Sequence, residues 1–159
     1  MANSIPVERF TSALYAILDE TFEKVQGIYL DRNTSLLETL ATISAEEASR
    51  PVSSRCASIA GQVEHTRFYI DVLEKYIKGD TVGDVDWQGS WYLKTVIPDE
   101  WEALKVRLKD AYTSVLAALK SRDNWDSEDD LSNAMAVAIH TAYHLGEIRQ
   151  ALCTIKNPL

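Results

Sequence analysis

Residues 98–120, PDEWEALKVRLKDAYTSVLAALK, decide the fold class. Proline suits the first turn of a helix, and Asp99 and Glu100 place negative charge at the positive end of its dipole. Trp101, Leu104, Leu108, Tyr112, Val115 and Leu119 then recur three or four residues apart, the stripe that an amphipathic helix buries. The same signal recurs upstream: Val7, Phe10, Leu14, Ile17, Leu18, Phe22 and Val25 predict a first long helix over 7–25. Ile59, Val63, Thr66, Ile70, Leu73 and Ile77 predict a second from about Ser54 to Lys78, with Gly79 as its stop. Downstream, Ser127 with Asp130 three residues later resembles a capping box and opens a last helix running to about Thr154.

Between these segments lie two connections of different character. Residues 26–50 hold Gly27, a polar cluster from Asp31 to Ser35, and a short apolar piece at Leu36, Leu37, Leu40 and Ile43, closed by Pro51. This predicts a long connection carrying one or two short helices. Residues 80–97 are rich in aromatics and read as a loop tucked over one end of a bundle. Trp87, Trp91 and Trp101 either seal the core or wall a pocket; sealing is the favoured role. No alternating strand pattern competes, so the expectation is all-α, a four-helix bundle with a long first connection, forming a single domain over 1–159.

Composition narrows the functional classes. At 159 residues with 46% hydrophobic and 25% charged residues, the chain is long enough for one packed core. A net charge of -8 and the lack of a basic run argue against a nucleic-acid partner, because phosphate contacts need clustered Lys and Arg. No apolar stretch is long enough to span a bilayer, and MANSIPVERF lacks the features of a signal peptide, so a cytoplasmic protein without membrane contact is expected. Cys56 and Cys153 form no CxxC pair and are expected to be small buried or half-buried thiols, a disulfide between them being the alternative.

The chain contains only three histidines, His65, His140 and His144. His140 and His144 are one helical turn apart on one side of the last helix, and His65 sits mid-way along the second. Imidazole nitrogens suit Zn, Ni, Cu and Fe, and three of them leave a position where water or a thiol would lose its proton near neutral pH. An i, i+4 pair also arises by chance, and a lone histidine on an apolar face is commonly a hydrogen-bonded core residue. That no histidine is spent elsewhere favours the metal. A di-iron bundle would need Glu-x-x-His pairs, which are absent, and a zincin would need Glu where Thr141 stands. Cys56 and Cys153 each lie nine residues from the nearest histidine of their helix, half a turn away, so neither should face the metal. Tyr69 and Tyr143 adjoin the ligands in sequence. Glu147, one turn beyond His144, is a candidate to orient its ring, with a neighbouring Arg as its alternative partner. The acidic run from Ser127 to Asp130 lacks the spacing and glycine of a calcium loop and reads as a solvated helix start.

Over nearly its whole length the sequence resembles the DinB-like superfamily of bacterial four-helix bundles, which includes the YfiT-type proteins. The carriers are LLETLATISAEEASRPV (36–52), SIAGQVEHTRFYIDVL (58–73), DWQGSW (86–91), EWEALKVRLKDAY (100–112) and AIHTAYHLGEIRQAL (138–152). The resemblance implies that His65, His140 and His144 bind one divalent ion of the zinc, nickel, iron or manganese kind. It also implies a homodimer and, for some relatives, transferase or isomerase chemistry on a small-molecule substrate with a low-molecular-weight thiol as cosubstrate. A binding or sensing module with a structural metal, or none, is the alternative.

Overall fold

The computed structural model describes residues 5–157, and among these the chain is all-helical. Four long helices, α1 (Val7–Phe22), α4 (Ile59–Lys78), α5 (Pro98–Lys120) and α6 (Glu128–Lys156), are joined by two short ones, α2 (Leu36–Leu40) and α3 (Ala45–Ser49), and by a 3-10 turn at Gly89–Trp91. α4 is the central element and packs chiefly against α5 and α6, while α1 leans on α6. None of these helices is long and apolar enough to cross a membrane.

The predicted stripes supply most of the core, although Val7 of the first is exposed and Phe10 and Ile17 are half-buried. All six stripe residues of α5 are buried, as are Leu14, Leu18 and Phe22 of α1 and Ile59, Val63, Ile70, Leu73 and Ile77 of α4. Phe22 stacks on Tyr112 at 4.1 Å between ring centroids, an aromatic pair joining α1 to α5. Trp101 is sealed in the core, and its indole N–H donates to the Ile43 carbonyl at 2.8 Å. One hydrogen bond thus fixes the first connection to the start of α5.

That connection contains the two short helices expected, each closed by a capping box. Ser35 pairs reciprocally with Glu38, and Ser44 with Glu47, so helices of five residues satisfy N–H groups that their length would leave open. Upstream, the chain is organised by Glu20. Its fully buried carboxylate accepts four backbone N–H bonds, from Gln26 and Ile28 on one oxygen and from Tyr29 and Leu30 on the other, at 2.6–2.8 Å. The hub folds the chain back after Phe22, which is why α1 stops three residues before the predicted Val25.

Two further boundaries differ. α4 begins at Ile59 rather than near Ser54, because Ser58, not an earlier serine, caps it by accepting from the Gly61 N–H. At its other end Gly79 adopts the left-handed conformation predicted for a stop, with φ of 77°. At α6, Ser127 is the N-cap, but Asp130 does not complete a box: its carboxylate pairs with Arg122 at 2.6 Å, across the turn from α5. Both cysteines are free and exposed rather than buried. Cys56 lies ahead of α4, so the half-turn rule does not apply to it. Cys153 lies on α6, where the rule does.

Candidate metal centre

His65 comes from the middle of α4, and His140 and His144 from successive turns of α6, the helix packed along it. One potential ligand nitrogen from each lies within 4.8 Å of the others, the one such group of histidine, cysteine or acidic side chains among the described residues. His65 and His144 are buried and His140 is half-buried. The spacing read from the sequence therefore brings all three imidazoles to one point, and the cysteines stay outside.

Hydrogen bonds determine which nitrogen each ring can offer. Ser90 Oγ donates to the Trp87 carbonyl at 2.6 Å and lies 2.7 Å from His65 Nδ1. A hydroxyl has one proton to give, so it accepts from His65 Nδ1–H, and Nε2 keeps the lone pair. His144 Nδ1 faces the Glu147 carboxylate at 2.9 Å and the Gln62 side-chain oxygen at 2.6 Å, both acceptors, so it too is protonated and Nε2 is free. His144 Nε2 lies 3.2 Å from His140 Nε2. His140 Nδ1 is buried without a hydrogen-bond partner. Its ring is held instead by Tyr69, stacked at 3.5 Å and 4°.

Protonation does not compete with ligation at neutral pH. Burial pushes His65 down to about 4 and His140 down to about 3, each helped by its imidazole neighbours. Burial lowers His144 as well, against the opposing pull of Glu147. Three neutral imidazoles, two with their lone pairs fixed toward the centre, fit a divalent cation of borderline hardness.

The aromatic loop reaches this centre because α4 has no side chain at Gly61. A Cβ there would lie 2.8 Å from the Leu93 carbonyl oxygen, so the loop backbone rests directly on the helix one turn before His65. Gly89 is close-packed in the same way: its N–H donates to Asp86 at 2.8 Å, and a Cβ would meet that carboxylate at 2.3 Å. These contacts set Ser90 against His65 and stack Trp91 on the other side of the ring, at 3.8 Å and 17°. Trp87 packs near Tyr69. Of Trp87, Trp91 and Trp101, then, only Trp101 seals the core, while Trp91 lies against His65, Trp87 against Tyr69, and both are exposed.

Glu147 occupies the position expected of an orienting carboxylate, and its other oxygen accepts from the Tyr143 hydroxyl at 3.0 Å. Tyr143 itself is exposed, with its ring edge against His144. Ser90 and Gln62 were not legible as partners: a serine in a loop and a glutamine three residues before His65 carry no local signal. No protein-family model, curated protein or solved structure matches the chain.

Proposed function

We propose that this chain is a DinB-like four-helix bundle protein that binds one divalent metal ion through His65, His140 and His144 and uses it to transfer a thiol to a small electrophile. The observation that carries this reading is the convergence of three imidazoles within 4.8 Å, with Ser90 and Glu147 on Nδ1 of His65 and His144 so that each Nε2 keeps its lone pair. The four long helices and the long first connection with its two short helices agree with the expected architecture. When bound, the ion supplies Lewis acidity that lowers the pKa of a thiol or water in the position three imidazoles leave open. In the overall reaction a thiol RSH and an electrophile R′X give the thioether RSR′ and X⁻, and the thiol proton passes to solvent. The chain's own part is to keep three imidazoles neutral, hold them at one point and roof the centre with Trp91.

Metal analysis of protein purified without an affinity tag tests the first half: one equivalent per chain is expected, and less than a tenth of that in His140→Ala. Absence of metal from both, even after incubation with zinc, sinks the reading. The burial of His65 and His144 also suits a structural ion in a binding module. That second reading expects metal removal to lower the melting temperature with no metal-dependent turnover in a screen of thiols and electrophiles.

A further inference from the structure

Two cavities flank the histidines, and their walls differ. On the Glu147 side lies a cavity of about 560 Å³ in which the Glu147 carboxylate and the Gln62 and Gln150 amides share the wall with Val52, Ala57 and Ala151. On the His140 side, a groove of about 530 Å³ is lined from α4 by Tyr69 and from α6 by Met135, Ala136, Ile139, His140 and Tyr143, with Ser132 at its far end. No Asp, Glu, Lys or Arg lines this groove, although a quarter of the chain is charged. Met135, Ile139 and Tyr143 recur at four-residue spacing and stay 44%, 62% and 61% exposed, so α6 spends three large apolar side chains on a surface that buries none of them well. Ala136, one turn before His140, keeps the way to that ring open to a ligand chain. The groove thus begins at a candidate metal ligand, has mostly apolar walls without a charged side chain, and has a volume ordinary for a small-molecule site.

We propose that the groove beside His140 receives the apolar tail of the electrophile, so that the substrates carry an aliphatic or aryl chain with the reactive carbon at its inner end. The inference rests on the catalytic reading above, which supplies the electrophile. Its occupant is fixed by the groove's contact with His140: an apolar chain lying along Met135 and Ile139 brings its head to the histidines.

The chain has two methionines, Met1 and Met135, so labelling methionine methyl groups with ¹³C gives one reporter inside the groove and one at the N-terminus. The probes are n-alkyl alcohols from butanol to octanol, non-reacting mimics of the tail. A saturable shift of the Met135 methyl is expected, and affinity should rise about fourfold per added CH₂, the ratio that corresponds to burying one methylene. Ile139→Asp, at an exposed position that leaves the core intact, should abolish the shift, and Ile139→Leu should keep it. The inference is overturned if no alcohol gives a saturable shift, if Ile139→Asp leaves it unchanged, or if the Met135 methyl moves on simple dilution, which would mean that a second copy of the chain covers the face. Zinc titration of the same sample separates the two layers. Tail binding without zinc binding keeps the groove and removes the catalytic reading, whereas zinc binding without tail binding removes the groove alone.

Discussion

Ser90 Oγ lies 2.7 Å from His65 Nδ1 and has already given its proton to the Trp87 carbonyl, so a residue 25 positions away determines which nitrogen of His65 can hold a metal. Ser90→Ala removes the only acceptor on that nitrogen and lets the imidazole take either tautomer or rotate. Partners of this type are commonly worth ten- to a hundredfold in metal affinity. Zinc affinity measured by competition with a chromophoric chelator should fall by that factor, while far-UV circular dichroism stays unchanged because Ser90 lies in a short 3-10 turn. Ser90→Thr, which keeps the hydroxyl, should restore most of it. Unchanged affinity in Ser90→Ala would show that the hydroxyl does not orient His65.

Gly61 is the second control point for the same ring, and two effects of opposite sign meet there. In a helix alanine is favoured over glycine by up to about 1 kcal/mol, less at Gly61 because it stands in the first turn of α4. A Cβ at 2.8 Å from the Leu93 carbonyl, however, forces the loop backbone off α4, because neither atom belongs to a flexible side chain. Gly61→Ala should therefore leave overall stability within about 1 kcal/mol of the parent while weakening zinc binding, since the displaced loop carries Ser90 and Trp91 away from His65. Urea unfolding together with the chelator assay reads both. A tighter-binding Gly61→Ala variant would contradict the proposed role of the close approach.

Glu20 gives the fold a specific acid sensitivity. Burial alone would raise its pKa, but the four backbone N–H donors prevail and bring it down to about 2. A carboxylate whose folded pKa is depressed contributes stability that is fully present above its unfolded value of about 4.5 and is lost as pH falls toward about 2. Glu20→Gln can offer only one acceptor oxygen and places an NH₂ against backbone donors, so it should be clearly less stable than the parent at pH 7. The difference between the two proteins should shrink steadily from pH 4.5 downward, measured by urea unfolding at each pH. A difference that is constant from pH 7 to pH 3 would mean that the hub contributes nothing as a charge.

What the sequence revealed and what it hid follow from the range of the interactions. The stripes of α4 and α5 and the second half of the α1 stripe were legible because burial follows helical period, and the residues at those positions form most of the core. His140 and His144 were legible for the same reason, and His65 because no other histidine remained. The start of α4 was misjudged by five residues because Ser53, Ser54 and Ser58 are equally good caps until apolar spacing begins at Ile59. Glu20 escaped notice since one helical glutamate looks like another until four amides from residues 26–30 close on it. Ser90 escaped, and sealing was the favoured role for Trp87 and Trp91, because their roles depend on the path of a loop, and that path depends on a glycine in a different element.

The thiols offer the last test, because their placement departs from expectation while their exclusion from the metal does not. Cys153 lies nine residues beyond His144 on α6, half a turn round the helix, and lines a cavity with Arg149 and Lys156 instead. Cys56 stands outside α4, exposed, with its sulfur 3.1 Å from Ser53 Oγ. It borders the same cavity as Gln62 and Glu147, so proximity alone does not rule it out as a ligand. Its sulfur is not among the ligand atoms gathered within 4.8 Å, so a zinc–thiolate bond of about 2.3 Å would require that segment to move. Both thiols should therefore react with Ellman's reagent in the native protein, giving two equivalents per chain without denaturant. The double variant Cys56→Ser, Cys153→Ser should bind zinc with unchanged stoichiometry and an affinity within about twofold of the parent, since a lost thiolate ligand would cost far more. A large drop confined to Cys56→Ser would replace the three-imidazole centre by one in which this thiol swings in to complete the ligand set.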